Sequence, residues 1–232
     1  MAHVLIERFE YATLKNHLEN SFEQQYWAKD TVAKAISSKF KNEISNLILI
    51  GPKGCGKKEM IETISKFLHV PLVVIQDAHQ LRSQSFDKYI SMKLLENSSY
   101  DVEKAASGIV MLSNVNHFNV DLQRFLVKLM SEKMSLKLRD LLNERCTAEL
   151  YDEKFEFQNI MFIATIDCDI EGKISRRYIN DIIDTRYCRE NVVTSADLVK
   201  MNVCQELSEV FNFIAPFHAR YHQLLKTPLC QI

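Results

Sequence analysis

Four apolar residues, Leu47-Ile48-Leu49-Ile50, run directly into Gly51-Pro52-Lys53-Gly54-Cys55-Gly56-Lys57. A short continuous apolar run suits a strand buried on both faces. The seven residues after it match G-x-x-x-x-G-K. From Lys57 to His69, the residues Met60, Ile61, Ile64, Phe67 and Leu68 form one apolar stripe, which Val70-Pro71 ends. Strand, glycine-rich turn and helix in that order are the context in which this motif cradles phosphate. Glycines let successive N–H groups turn inward around an anion. The helix N-terminus adds donors and the positive end of its dipole. The candidate nucleotide-binding residues are therefore Gly51, Pro52, Lys53, Gly54, Cys55, Gly56, Lys57 and Lys58, with Lys57 reaching the terminal phosphates.

Three more apolar runs have the same character: Leu72-Val73-Val74-Ile75, Ile109-Val110-Met111-Leu112 and Ile160-Met161-Phe162-Ile163-Ala164. Helical patterns separate them. Residues 14–42 are helical with a break near Gln24-Gln25. Residues 87–106 suit two short helices, Leu122 to Met134 one amphipathic helix, and 196–211 a further helix. Buried strands alternating with helices predict a mainly parallel sheet covered on both faces, a three-layer α/β fold. The segment 135–158 is charged and weakly periodic, and 166–195 is richer still in charge. Both are expected on the surface.

Composition narrows the class. The chain has 232 residues, 29 Lys plus Arg against 30 Asp plus Glu, 47% apolar and 25% charged residues. That is an ordinary globular mixture and excludes a disordered tail or a generally basic nucleic-acid binder. Six cysteines at 55, 146, 168, 188, 204 and 230 form no C-x-x-C pair, so neither a disulfide framework nor a zinc site is expected. His218 and His222 share helical spacing but lack a carboxylate or thiol partner at matching spacing. No run approaches the roughly 18 apolar residues of a membrane span. The N-terminus has neither a signal-peptide core nor the look of an organelle presequence. The expected location is the cytoplasm, with no membrane or nucleic-acid partner.

The chemistry-bearing positions depart from the phosphate-loop pattern. The motif continues with Ser or Thr, whose hydroxyl ligates Mg²⁺; this chain has Lys58. In phosphate-loop ATPases an acidic residue at the end of an apolar strand holds the metal. Here the third strand runs into Ser113-Asn114. Metal-assisted hydrolysis would lose its ligand and its base together. Lys58 could replace the ion as a charge or simply point to solvent. Cys55 lies among Lys53, Lys57 and Lys58, whose field favours the thiolate of an exposed thiol.

Taken together, these segments resemble the AAA+ module of the Clp-type unfoldase family ClpX. The likeness runs through Leu18 to Val32, the phosphate loop, Phe67-Leu68-His69-Val70-Pro71, Leu94-Leu95, Tyr100-Asp101-Val102-Glu103-Lys104-Ala105, Gly108-Ile109-Val110, Leu122 to Leu129, Ile160 to Ile163, and Ala196-Asp197-Leu198-Val199-Lys200. The resemblance implies a P-loop NTPase fold, an AAA+ large subdomain without the small lid domain. It divides the chain into a helical lead-in at 1–44, a nucleotide-binding core at 45–215, and a tail or truncated lid at 216–232. It also implies ATP or ADP as ligand, Thr165 as a sensor of the terminal phosphate, and protein partners. Those partners are unfoldase or protease components, their substrates, or an intact relative of the same family.

Departures from the family fall on its chemistry. Lys58, Ser113 and Asn114 do not support Mg²⁺, Val210 stands near the trans-acting arginine position, and Phe86 is the sole aromatic where a pore motif is expected. Arg176 and Arg177 are expected in a solvated face. The expected function is a regulatory or scaffolding ATP-binding protein of a protein-unfolding system. The alternatives are an active unfoldase subunit, in which Asp121 or Asp167 replaces the missing acids, and a nucleotide-free interaction module.

Overall fold

The computed structural model describes residues 9–22, 25–41, 43, 45–76, 86–132, 134–142, 153–168 and 193–217. Arg176, Arg177, His218 and His222 lie outside them. Two helices lead in, α1 (Tyr11–Ser21) and α2 (Tyr26–Phe40). Between them Gln25 takes a left-handed conformation, φ 73°, where the apolar pattern breaks. Then come β1 (Leu47–Gly51), α3 (Lys57–Leu68), β2 (Leu72–Ile75), α4 (Phe86–Asn97), α5 (Val102–Ala106) and β3 (Ile109–Leu112). A 3₁₀ turn (Val115–His117) leads to α6 (Val120–Ser131), β4 (Ser135–Lys137), α7 (Leu138–Leu142), β5 (Lys154–Glu156) and β6 (Met161–Asp167). The last described elements are α8 (Ser195–Lys200), α9 (Gln205–Val210) and β7 (Phe213–Pro216). The expected boundary at residue 216 thus falls inside a strand.

Five strands form one parallel sheet in the order β2-β3-β6-β1-β7. Their side chains alternate between two cores. Ile48, Ile50, Val110, Leu112, Phe162, Ala164 and Ile166 enter one core, with residues of α4, α6, α7, α8 and α9. Leu47, Leu49, Ile109, Met111, Met161 and Ile163 enter the other, with α1, α2 and α3. Each of these side chains larger than Ala164's contributes roughly 1.5–3 kcal/mol when removed from water. Both faces are covered, as the unbroken apolar runs require. The tips of β1, β3 and β6 lie side by side, because β6 pairs with both of the others.

Four expectations need correction. The helix from Leu122 to Met134 starts at Val120 and stops at Ser131, where Glu132 turns extended and its N–H closes on the Lys128 carbonyl. The segment 135–158 is not all surface. β4 and β5 pair antiparallel, and Leu138, Leu141, Leu142, Phe155 and Phe157 are buried in the first core. The single helix over 196–211 is two helices, separated by a turn in which Asn202 has φ 70°. The fourth apolar strand runs on to Asp167 because β1 continues to pair with it, Gly51 opposite Asp167. Among the described residues no helix is long and apolar enough to cross a membrane.

A buried glutamine secures the broken helix. Gln123 of α6 is 1% exposed. Its Nε2 donates to the Phe118 carbonyl at 3.0 Å and the Asn202 carbonyl at 3.1 Å. Its Oε1 accepts the Cys204 N–H at 2.6 Å. One side chain thereby satisfies two backbone groups of the α8–α9 turn and one just before α6, groups that would be costly to bury unpaired. The start of α8 carries a capping box. Asp197 accepts from the Thr194 N–H at 3.1 Å, and this contact does most to hold the Asp197 carboxyl below its usual range.

Candidate functional site

The loop between β1 and α3 curls through two left-handed glycines, Gly54 at φ 79° and Gly56 at φ 101°. Gly51 is constrained by proximity. A Cβ there would lie 2.4 Å from the Phe217 carbonyl oxygen, since the chain leaving β7 passes against it. Gly56 caps α3 without a side chain. First-turn N–H groups have no acceptor within their own helix, and they sit at the positive end of its dipole. Gln25 braces the loop from outside by donating its side-chain amide to the Cys55 carbonyl at 3.3 Å.

Lys57, the first residue of α3, is 7% exposed. Its Nζ donates to the Gly51 carbonyl at 2.6 Å and the Pro52 carbonyl at 2.9 Å. It also forms an ion pair with Asp167 at 2.8 Å. Asp167 ends β6 beside the loop. It is held there by Asn114, whose Nδ2 donates to Asp167 Oδ2 at 3.2 Å and whose Oδ1 accepts the Asp167 N–H at 2.8 Å. Burial alone would raise the Asp167 carboxyl. The Lys57 ammonium outweighs it, with help from the Asn114 amide and the Lys53 charge, and holds the group below the usual carboxylate range.

The expected residues fall into place unevenly. Thr165 lies inside β6 and is buried, not beyond the strand as expected; its Oγ1 accepts the Asn114 N–H at 3.1 Å. Ser113 continues the β2–β3 ladder by donating its N–H to the Ile75 carbonyl at 2.8 Å. Lys58 is exposed, with Nζ 3.6 Å from Glu62 one helical turn on. Asp121 is exposed in the first turn of α6. Val210 ends α9, and its carbonyl accepts the Asn46 side-chain amide at 3.3 Å.

Cys55 requires a correction. It is 1% exposed, and burial pushes its thiol up despite the opposing charge of Lys57, whose Nζ lies 3.5 Å from Sγ. The lysine field does not produce an exposed thiolate, because the side chain packs into the second core.

A parallel sheet with this strand order, a phosphate loop after β1 and polar tips on β3 and β6 agrees with a profile match. The AAA domain (Cdc48 subfamily) family matches residues 42–220, well over half of the chain. The chain belongs to this AAA family. The module has the α/β P-loop NTPase fold of AAA+ proteins. Among curated relatives, it is similar to the ATP-dependent Clp protease ATP-binding subunit ClpX from two strains of Porphyromonas gingivalis. Each is 38% identical over 78 residues, which cover 32% of this chain and 19% of the relative. The chain thus covers about a fifth of the length of the ClpX relatives it matches.

In this AAA domain the donor set suits a phosphate: left-handed glycines, an uncapped helix start, Lys57, and Lys53 near enough to act on Asp167. The residues expected at the magnesium positions do not have the chemistry of metal ligands. Lys58 offers an ammonium, while Ser113 and Asn114 offer no charge. Among the described residues no cluster of three His, Cys, Asp or Glu side chains could hold an ion. Sequence reasoning placed Asp167 only as a remote substitute. Its signal was the register of two parallel strands, which no local pattern carries.

Proposed function

We propose that this AAA domain binds ATP or ADP through Gly51–Lys57 with little or no hydrolysis, as a regulatory or scaffolding component of a protein-unfolding or protease system of the ClpX kind. The observation that carries the reading is a contrast. The phosphate loop keeps its glycine geometry and its lysine, whereas the neighbouring β3 tip presents Ser113 and Asn114 without a carboxylate. Binding needs only the first; metal-assisted hydrolysis needs the second. Lys53 and Lys57 supply phosphate charge complementarity, and Thr165 is the sensor of the terminal phosphate in this reading: its Oγ1 accepts the Asn114 backbone N–H, which leaves its O–H to donate. Protein partners, an intact ClpX-like relative among them, and a cytoplasmic location follow from the same reading.

A second reading has one observation in its favour. Asp167 brings a carboxylate to the loop from the adjacent strand, so an active ATPase would use it in place of the missing acids. Calorimetric titration with ATP and ADP, in Mg²⁺ and again in EDTA, separates the two. The first reading expects binding that survives EDTA and is lost in Lys57→Ala. Mg²⁺-dependent binding with turnover abolished in Lys57→Ala would establish the second. No binding in either buffer would leave a nucleotide-free interaction module.

A further inference from the structure

The three donors of a lysine ammonium are all it has to offer an anion. At Lys57 three oxygen acceptors within the protein match them, the Gly51 and Pro52 carbonyls at 2.6 and 2.9 Å and the Asp167 carboxylate at 2.8 Å, with the Cys55 Sγ a weaker acceptor at 3.5 Å. The two carbonyls belong to the loop backbone. The Gly51 carbonyl also accepts the Cys168 N–H at 3.2 Å, which ties it to the chain leaving β6. Asp167 is the one partner of the three that carries a full charge on a rotatable side chain. That side chain is about a third exposed, so its carboxylate can turn to water.

Asn114 fits this arrangement. It holds Asp167 by the backbone N–H and by one carboxylate oxygen, Oδ2. The other oxygen, Oδ1, faces Lys57. A carboxylate gripped on one oxygen keeps a hydrogen bond when the other loses its cation. The acid expected at the β3 tip of a phosphate-loop site thus stands on the neighbouring strand. The amide stands at the β3 tip and the acid at the β6 tip, and they remain bonded neighbours.

Resting on the nucleotide-binding reading, we propose that Asp167 is the internal counter-anion of the phosphate loop. The phosphate of a nucleoside di- or triphosphate binds by exchanging with this carboxylate on Lys57. Asp167 thus sets the affinity of the site. The carboxylate takes the lysine charge that a phosphate needs, and its release to solvent is part of the binding equilibrium. A site of this kind favours ligands with enough negative charge to displace a carboxylate, so ADP and ATP bind and a monoanionic phosphate ester binds poorly.

The test is calorimetric titration of the full chain with ADP in EDTA and in Mg²⁺, for wild type, Asp167→Asn and Asp167→Glu, each checked by thermal melting. In EDTA, Asp167→Asn is expected to bind ADP about tenfold more tightly than wild type, while the charge-retaining Asp167→Glu stays near wild type. Equal affinities in EDTA would overturn the proposal. A loss of affinity in Asp167→Asn confined to Mg²⁺ would also overturn it and make Asp167 a metal ligand. Binding by Asp167→Asn but not by wild type would uphold the counter-anion and refute the reading of wild type as a nucleotide binder. If neither binds, both fall. Should Asp167→Asn fail to fold, wild type labelled with ¹³C-carboxyl aspartate gives the answer directly. Titration with ADP must then shift the Asp167 resonance, and an unmoved resonance at saturation overturns the exchange.

Discussion

Asn114 and Asp167 grip one another twice, side-chain amide to carboxylate and backbone N–H to side-chain carbonyl, across two neighbouring strands. Asn114→Asp would put a second carboxylate within hydrogen-bond reach of the first. Two such groups cannot both ionise without cost, so one folded-state pKa rises. A group raised on folding stabilises below its unfolded pKa and loses that contribution as pH climbs through the folded value. Urea unfolding of Asn114→Asp should therefore show stability falling, relative to wild type, between pH 4 and pH 7. Parallel pH profiles for the two proteins would show that the pair is not coupled.

Gln123 makes the second prediction. Truncation to Ala leaves the Phe118 and Asn202 carbonyls and the Cys204 N–H without their buried partner. The expected loss is about 2–4 kcal/mol, the sum of a cavity and unsatisfied groups. Hydrogen exchange should localise the loosening to residues 201–204. A loss spread evenly over the sheet would contradict the assignment.

His17 stacks on Phe67, ring centroids 4.0 Å apart, and its Nε2 is buried with no hydrogen-bond partner. Burial lowers its pKa. The unfolded chain then binds the proton more readily than the folded one, so stability drops as pH falls below the unfolded value of about 6.5. His17→Phe removes that slope. Its melting temperature should change less than that of wild type between pH 7 and pH 5, and equal shifts in both proteins would rule the histidine out.

Cys55 is expected to react slowly. Burial raises the thiols of both Cys55 and Cys204, so the difference is access: Cys55 is buried, whereas Cys168 and Cys204 are partly exposed. Alkylation by iodoacetamide under native conditions, followed by peptide mass spectrometry, should label Cys168 and Cys204 well before Cys55. Faster labelling of Cys55 would mean that the loop opens on the time scale of the reaction.

Much of the architecture was legible because burial on both faces writes itself locally. Leu47–Ile50, Leu72–Ile75 and Ile109–Leu112 are unbroken apolar runs; the first and third are interior strands, and the second is an edge strand with Val73 and Ile75 buried. β7 escaped notice because Phe213-Ile214-Ala215-Pro216 is short and ends in proline, a poor ladder residue tolerated at this edge of the sheet. β4 and β5 escaped because strands of three residues with one inward side chain carry almost no period. At the site, the loop was readable from its glycines, but the Lys57–Asp167–Asn114 chain was not. It joins residues 57, 167 and 114, whose proximity is decided only when β1, β3 and β6 align.

The position of β1 also governs when the loop can exist during synthesis. β1 is made early, yet both its neighbours, β6 and β7, are encoded more than a hundred residues later. Non-local parallel pairing is slow and leaves apolar edges uncovered until it completes. A nascent chain halted before Phe213 would hold β1 with one open edge, and Gly51 would lack the passing backbone of Phe217 against which it fits. The loop's residues are therefore made early, while the strand that completes their surroundings is the last of the described elements. The interval between the two is when this chain most needs a chaperone.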